Sequence, residues 1–299
     1  MLLQLLGTAA GGGIPQWNCA CPGCSGARAH PERRRRHASL AVRTDDGRWY
    51  LVNATPDIGD QIEAHPALHP GPGPRQTPIA GVVLTDAELD HTLGIARLRE
   101  ADALEIHATA PVRRALQDRL RLGDVLGPYT SLTWRDLTCH GAHPLGPSDD
   151  GLRITAVPVS AKRPRYAAEA PEDEAWVVAL RLYEPSTGRT AVYAPAVAAW
   201  SDALHQVVAE ADCVLVDGTF WDDEEPRRTG ISSRTATGMG HLPIDGPGGT
   251  AGILATLSAR CYYTHLNNTN PLVDPTAAQH KRLARMGIEV ADDELVIEL

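Results

Sequence analysis

The chain has 299 residues, of which 43% are hydrophobic and 22% charged, and it carries a formal net charge of −9. Such a length and apolar share can bury a sizeable core without disulfide staples, in one large α/β domain or two smaller ones. The acidic balance argues against a general affinity for nucleic acid or anionic membranes, which rests on basic clusters, and no apolar run approaches the ~20 residues that a spanning helix needs.

Strand-length apolar runs recur at residues 2–6, 39–43, 49–53, 79–85, 153–158, 177–182, 190–194, 213–217 and 261–264. The first run ends at Gly7, with no basic residues before it and no signal-peptide core, so a cytoplasmic protein is expected. The glycine-rich stretch from Gly7 to Gly13 lacks the Lys-Ser/Thr of a P-loop; it reads as a turn that lets two backbones approach. Four consecutive arginines, Arg33 to Arg36, have no aromatic residues interleaved and are expected in a solvated loop. Helical spacing of apolar residues predicts helices over 111–121, 200–210 and 276–286. The early runs have hairpin-like spacing and helical patterns become frequent only later, so strict βαβ alternation is not expected and a layered α/β sandwich fits better. The Pro/Gly-rich stretches 69–78 and 141–151 are expected to be surface loops, because no composition shift follows either. No internal repeat is visible, and the expectation is a single domain over residues 1–299.

Three of the six cysteines, Cys19, Cys21 and Cys24, fall within six residues. That spacing is poor for bridging and good for a structural Zn²⁺, with a fourth ligand, His, Asp, Asn or water, supplied from elsewhere in the fold. Cys213 and Cys261 sit in apolar runs and read as small buried hydrophobes.

The segment Thr85-Asp86-Ala87-Glu88-Leu89-Asp90-His91 begins where an apolar run ends. Three carboxylates at alternate positions repel one another unless a cation joins them, and His91 adds a nitrogen donor. Asp217 closes another apolar run, His241 stands on a glycine-flanked turn, and His265 closes a third run. Together they point to one metal centre built from strand ends.

This pattern resembles the metallo-β-lactamase superfamily, whose strand-end motif His-x-His-x-Asp-His is followed by a bridging Asp and a last His. Asp90 and His91 match that motif, Asp86 and Glu88 replace its first two histidines, Asp217 matches the bridging Asp and His265 the last His. Within the superfamily, the stretch from Ala9 to Cys19, Asp217-Gly-Thr, Met239-Gly-His241-Leu and the run from His265 to Pro271 resemble the pyrroloquinoline quinone (PQQ) biosynthesis protein B family. The resemblance implies a four-layer αββα sandwich of the metallo-β-lactamase type. It also implies a hydroxylase of the tyrosine ring of a Glu-Tyr-derived precursor, using Fe(II) and O₂.

On that reading Fe(II) rests on His91, His265 and a carboxylate, Asp90 or Asp217, while Asp86 and Glu88 orient ligands or carry protons and His241 lies near the site. Zn²⁺ on the same ligands would favour hydrolysis. Lys162, Arg163, Arg165 and Arg234 are the candidate anchors for an anionic dipeptide substrate. Asn267, Asn268 and Asn270 either order their loop or, at Asn268, complete the structural zinc shell. The expected partners are a small-molecule or dipeptide substrate and other proteins of the PQQ pathway, with homodimerisation left open. Two rival readings are a metal-dependent hydrolase and a carrier that assists transport of PQQ or its precursor to the periplasm.

Overall fold

A computed structural model describes residues 1–148 and 150–299; residue 149, inside the expected loop 141–151, lies outside the described residues. Among the described residues, fourteen strands form two seven-stranded sheets. In chain order they are β1 (Leu2–Gly7), β2 (Ser39–Arg43), β3 (Trp49–Val52), β4 (Ile79–Val83), β5 (Ala103–Ala108), β6 (Ser131–Asp136), β7 (His143–Pro144), β8 (Arg153–Ser160), β9 (Val177–Glu184), β10 (Arg189–Ala194), β11 (Cys213–Asp217), β12 (Arg260–Thr264), β13 (Ile288–Val290) and β14 (Val296–Glu298).

The first sheet has the order β14-β1-β2-β3-β4-β5-β6 and the second β13-β12-β11-β10-β9-β8-β7. In each, three antiparallel pairings are followed by three parallel ones: β14 to β3 and then β3 to β6 in the first, β7 to β10 and then β10 to β13 in the second. The chain therefore repeats a topology that no internal sequence similarity advertises.

The hairpin-like reading of the early half holds only as far as β3. From there to β6 the pairing is parallel, and a parallel neighbour needs a crossover rather than a tight turn; the helix Ile58–Glu63 lies in the first of these crossovers.

Alternation along the strands divides the core. Leu3, Leu5, Leu40, Val42, Tyr50 and Val52 of the first sheet join Leu180, Leu182, Ala191, Tyr193, Leu215 and Tyr262 of the second in one buried cluster between the sheets. The opposite faces, carrying Ala41, Leu51, Val82, Val192, Val214 and Val216, pack with helical residues such as Ile58, Val112, Leu204, Val208 and Leu283. The result is a sandwich with helices outside two stacked sheets, the αββα layering that the resemblance implies. β11 is buried along its whole length, which explains why it reads as a continuous apolar run. Truncating Leu215 to Ala in this packing would cost about 2–5 kcal/mol.

The expected helix 200–210 is Asp202–Ala209, started by the Ser201 side chain, which accepts from the Leu204 N–H. The expected helix 276–286 is Ala278–Arg285. The region 111–121 holds a short α-helix, Ala110–Arg114, that continues as a π-helical turn, Ala115–Arg119. The arginine run is not the solvated loop expected. Arg35 turns inward and donates to Thr8 Oγ1 (2.8 Å) and the Ala291 carbonyl (2.6 Å), Arg34 donates to the Ala27 carbonyl, and Arg33 pairs with Asp274. Among the described residues, no helix is long and apolar enough to cross a membrane.

Candidate metal centre

Parallel strands end on the same side, and β4, β11 and β12 bring the expected residues there together. The tips of the two sheets are tied by the Val178 N–H, at the start of β9, which donates to the Thr85 carbonyl (2.8 Å).

On the first sheet, Asp86 is buried just past β4 and its carboxylate is fully engaged. Oδ2 accepts from Thr85 Oγ1 (2.8 Å) and His91 Nδ1 (2.7 Å), and Oδ1 accepts from the Glu88 N–H (2.9 Å). Burial alone would raise this carboxyl, but the His91 charge and these donors hold it well below the usual carboxylate range. With Nδ1 of His91 donating to Asp86, loss of the ring's second proton leaves the lone pair on Nε2; among the described residues that atom is buried without a hydrogen-bond partner, 3.8 Å from Asp90 Oδ2. A buried ring nitrogen without a partner beside a carboxylate is a pair of donors that a cation could satisfy. Burial works against a charged His91, yet the Asp86 and Asp90 carboxylates outweigh it and raise the imidazole to about 9.

The second sheet repeats the arrangement. Asp217, buried at the tip of β11, accepts from the Val197 N–H (2.8 Å) and His241 Nδ1 (2.8 Å) on Oδ2, and from the Thr219 N–H (2.9 Å) and Thr219 Oγ1 (2.6 Å) on Oδ1. Thr219 Oγ1 in turn lies 2.8 Å from His265 Nδ1. With its single proton given to Asp217, it accepts the His265 N–H, leaving the Nε2 atoms of His241 and His265 as lone-pair donors. His265 takes a left-handed backbone conformation (φ +59°), uncommon for a residue with a side chain. Burial lowers it to about 4, so it is neutral and ready to bind a metal near pH 7.

Ligand atoms of Asp90, His91 and His265 all lie within 4.8 Å of one another, as do those of Asp217, His241 and His265. His265 belongs to both groups. Glu88 stands slightly apart, its Oε1 3.8 Å from Lys162 Nζ, and burial raises its carboxyl despite the offset from that ammonium. A cavity of about 730 Å³ opens onto these residues, and Lys162, Arg163, Arg165 and Arg234 line its other side. Among the described residues, no carboxylate pairs with Arg163, Arg165 or Arg234.

The thiols form a separate group: Cys19, Cys21 and Cys24 also lie within 4.8 Å of one another. Their sulfurs receive the Cys21 N–H, Cys24 N–H and Gln16 N–H at 3.3–3.5 Å. Asn268 points its side-chain Nδ2 at Cys24 Sγ (3.2 Å), donating to the sulfur, and its backbone carbonyl accepts from the Cys21 thiol (3.3 Å). Burial and the neighbouring thiols push Cys21 up to about 12, so without a metal this thiol stays protonated. Asn267 and Asn270 order the loop: Asn267 donates to Thr269 Oγ1 and Asn270 to the Gly218 carbonyl.

Sequence reasoning passed over Thr219, whose hydroxyl joins Asp217 to His265, and Gln16, which lies between the thiols and Asn268. The only signal for either was its place inside a longer family pattern.

A β-lactamase superfamily domain model matches residues 48–266. A coenzyme PQQ synthesis protein B from Cupriavidus necator is 42% identical over 302 residues, covering 99% of each chain. One from Methylococcus capsulatus is 38% identical over 307 residues, covering 100% of each. Among solved structures, Zn²⁺-bound PqqB from Methylobacterium extorquens superposes with a TM-score of 0.89 at 33% identity, covering 100% of both chains. A diphosphatase of the PhnP family superposes at 0.69 with 21% identity over 100% of this chain and 97% of its own, a likeness of fold alone.

Proposed function

The chain belongs to the coenzyme PQQ synthesis protein B family of the β-lactamase superfamily, and from that membership we propose that it hydroxylates the tyrosine ring of a Glu-Tyr-derived precursor with O₂ and Fe(II). The observation that carries the reading is the donor set: the buried Nε2 of His91 has no partner and faces one carboxylate and a second imidazole, at the mouth of a cavity walled by cations.

His91, His265 and Asp90 would hold the metal, with His241 beside them. Asp217 is read here as an orienting group rather than a ligand, because both its oxygens already accept hydrogen bonds. Imidazole and carboxylate ligands with open positions suit Fe(II), which when bound supplies redox chemistry towards O₂. The cysteine group would hold a structural Zn²⁺, the metal that its relative from Methylobacterium extorquens is named for.

The remaining steps fall to the protein. Asp86 and Asp217 keep His91 and His241 in the Nδ1–H tautomer, so each ring offers Nε2. Lys162, Arg163, Arg165 and Arg234 bind the substrate carboxylates and so place the phenol ring near the centre. Glu88, raised by burial, holds a proton more readily than an ordinary glutamate and can hand it on at the cavity wall. In the net reaction an aromatic C–H becomes C–OH with one atom of O₂; the other leaves as water, with two protons and two electrons from an added reductant.

The test loads metal-free protein with Fe(II) under anaerobic conditions, adds Glu-Tyr and ascorbate, admits isotopically labelled O₂, and follows the dipeptide by mass spectrometry. We expect one labelled oxygen in the wild-type product and none with His91→Ala. Equal behaviour of the two would end the oxygenase reading. Turnover of a phosphodiester by the zinc-loaded protein would replace it with a hydrolase, and stoichiometric quinone binding without turnover with a carrier.

A further inference from the structure

The segment between β1 and the helix Pro22–Ala29 runs from the histidine centre to the thiols and touches both. Next to the centre it is stitched to the residue after His265: the Leu266 N–H donates to the Thr8 carbonyl (2.8 Å) and the Ala10 N–H to the Leu266 carbonyl (2.8 Å). Gly11 then lies flat against the Asp90 carboxylate. A Cβ there would sit 2.8 Å from Asp90 Oδ2, so a side chain at this position would have to push that carboxylate aside. At its other end the segment reaches the thiols through Gln16, whose N–H donates to Cys24 Sγ (3.3 Å) and whose Oε1 accepts from Asn268 Nδ2 (3.1 Å).

Asn268 closes the loop of contacts. The same amide nitrogen donates to Cys24 Sγ, and Gly23 fits so tightly beneath the Asn268 carbonyl that a Cβ would meet it at 2.2 Å. The chain leaves His265 only three residues earlier, and between them the Asn267 N–H donates to the Thr219 carbonyl (3.0 Å). Two short routes therefore lead from Cys24: one through Gln16 and Gly11 to Asp90, the other through Asn268 to His265.

We propose that Gln16 and Asn268 are positioning residues through which metal on Cys19, Cys21 and Cys24 sets the placement of Asp90 and His265, so that the two metal sites bind cooperatively. A metal-bound thiolate accepts more strongly than a thiol, which tightens the Gln16 and Asn268 contacts and with them the two ligands they lead to. This rests on the metal assignments above and is independent of the reaction. By linkage the coupling is reciprocal: each site, when filled, strengthens the other by the same factor.

Co(II) distinguishes the sites, since thiolate ligation gives an intense near-ultraviolet charge-transfer band and imidazole and carboxylate ligation only weak visible bands. Protein with Zn²⁺ on the thiols is titrated with Co(II) beside a variant carrying Cys19→Ser, Cys21→Ser and Cys24→Ser, whose thiol site stays empty. We expect Zn²⁺ to raise the Co(II) affinity of the histidine centre about tenfold, within the range of outer-shell effects on metal affinity, and to shift its visible band. Asn268→Ala, which keeps all three thiols, should retain the charge-transfer band but lose the tenfold gain; a thermal melt checks that it is folded. Gln16→Ala, which keeps the backbone N–H to Cys24 Sγ and loses only the acceptor for Asn268, should lose part of the gain, and Gln16→Glu, which keeps that acceptor, should restore it. Equal affinity and an unmoved visible band with the thiols filled or empty would overturn the coupling alone. A wild-type protein with no visible band would overturn the metal assignment and the coupling with it.

Discussion

The two sheets pass through the same sequence of pairings, and their fourth and fifth members in that sequence, β3 and β4 in one and β10 and β11 in the other, lead to the same device. Past β4, Asp86 accepts from a threonine hydroxyl, from the N–H two residues on, and from an imidazole Nδ1; at the end of β11, Asp217 does the same. The halves then diverge. The first adds Asp90 next to its histidine, which is raised to about 9, while the second adds His265, which is lowered to about 4. A carboxylate–imidazole pair thus belongs to the topology, and the asymmetric donor set comes from what each half places beside it.

Substitutions can break this likeness. The largest expected effect is His91→Ala, which removes a member of the triad Asp90, His91 and His265 and should abolish metal at the centre. Its counterpart, His241→Ala, should keep that metal with weakened affinity, and metal analysis of the two purified variants separates them. Equal loss from both would make the halves equivalent after all.

Asp86→Asn and Asp217→Asn should be matched. Each keeps the shape of the hydrogen-bonding group and removes its charge, and outer-shell changes of this kind cost about 10–100-fold in metal affinity. Competition with a chelator of known affinity would measure both. A hundredfold difference between them would show that Asp217 ligates directly while Asp86 does not.

The gentlest difference is in pH. A metal must displace the second proton of His91 wherever that imidazole is charged, so affinity should rise by no more than about tenfold per pH unit as pH increases towards about 9, then level off. His265, already neutral, adds no slope in that window. The metal-free protein should behave in the opposite sense. Its His91 has a folded-state value above the ordinary 6.5, so the stability from the Asp86–His91 pair is fully present below that value and is lost as pH rises through about 9. Chemical denaturation of metal-free protein across pH 6.5–9 would check the sign.

Much of this was legible in the sequence, for reasons that differ between the two sites. The thiols are neighbours along the chain, and their spacing alone brings them together. The histidine centre joins residues 86–91 to 217–265, and what marked it was chemistry in unusual places: acids and imidazoles at the ends of apolar runs. β6, β7, β13 and β14 are short or open to solvent and leave no apolar run, and β5 is hidden because Glu105 and His107 interrupt its apolar residues. The sequence Ser131–Asp136 alternates but is largely open to solvent as an edge strand, and Ile288–Val290 has only three residues. The glycine-rich composition of residues 7–13 implies a close backbone approach, but the partner at Gly11 is a carboxylate rather than a backbone. A basic run is usually solvated, and only the fold supplies the inward acceptors Thr8 and Ala291 that hold Arg35.

The Val178 N–H to Thr85 carbonyl contact shows how narrow the gap is where the sheets meet beside His91 and His265. A cation bound there by His91 and His265 would be a rivet as well as a reagent: neither layer of the sandwich could breathe open at its tip without first letting go of it.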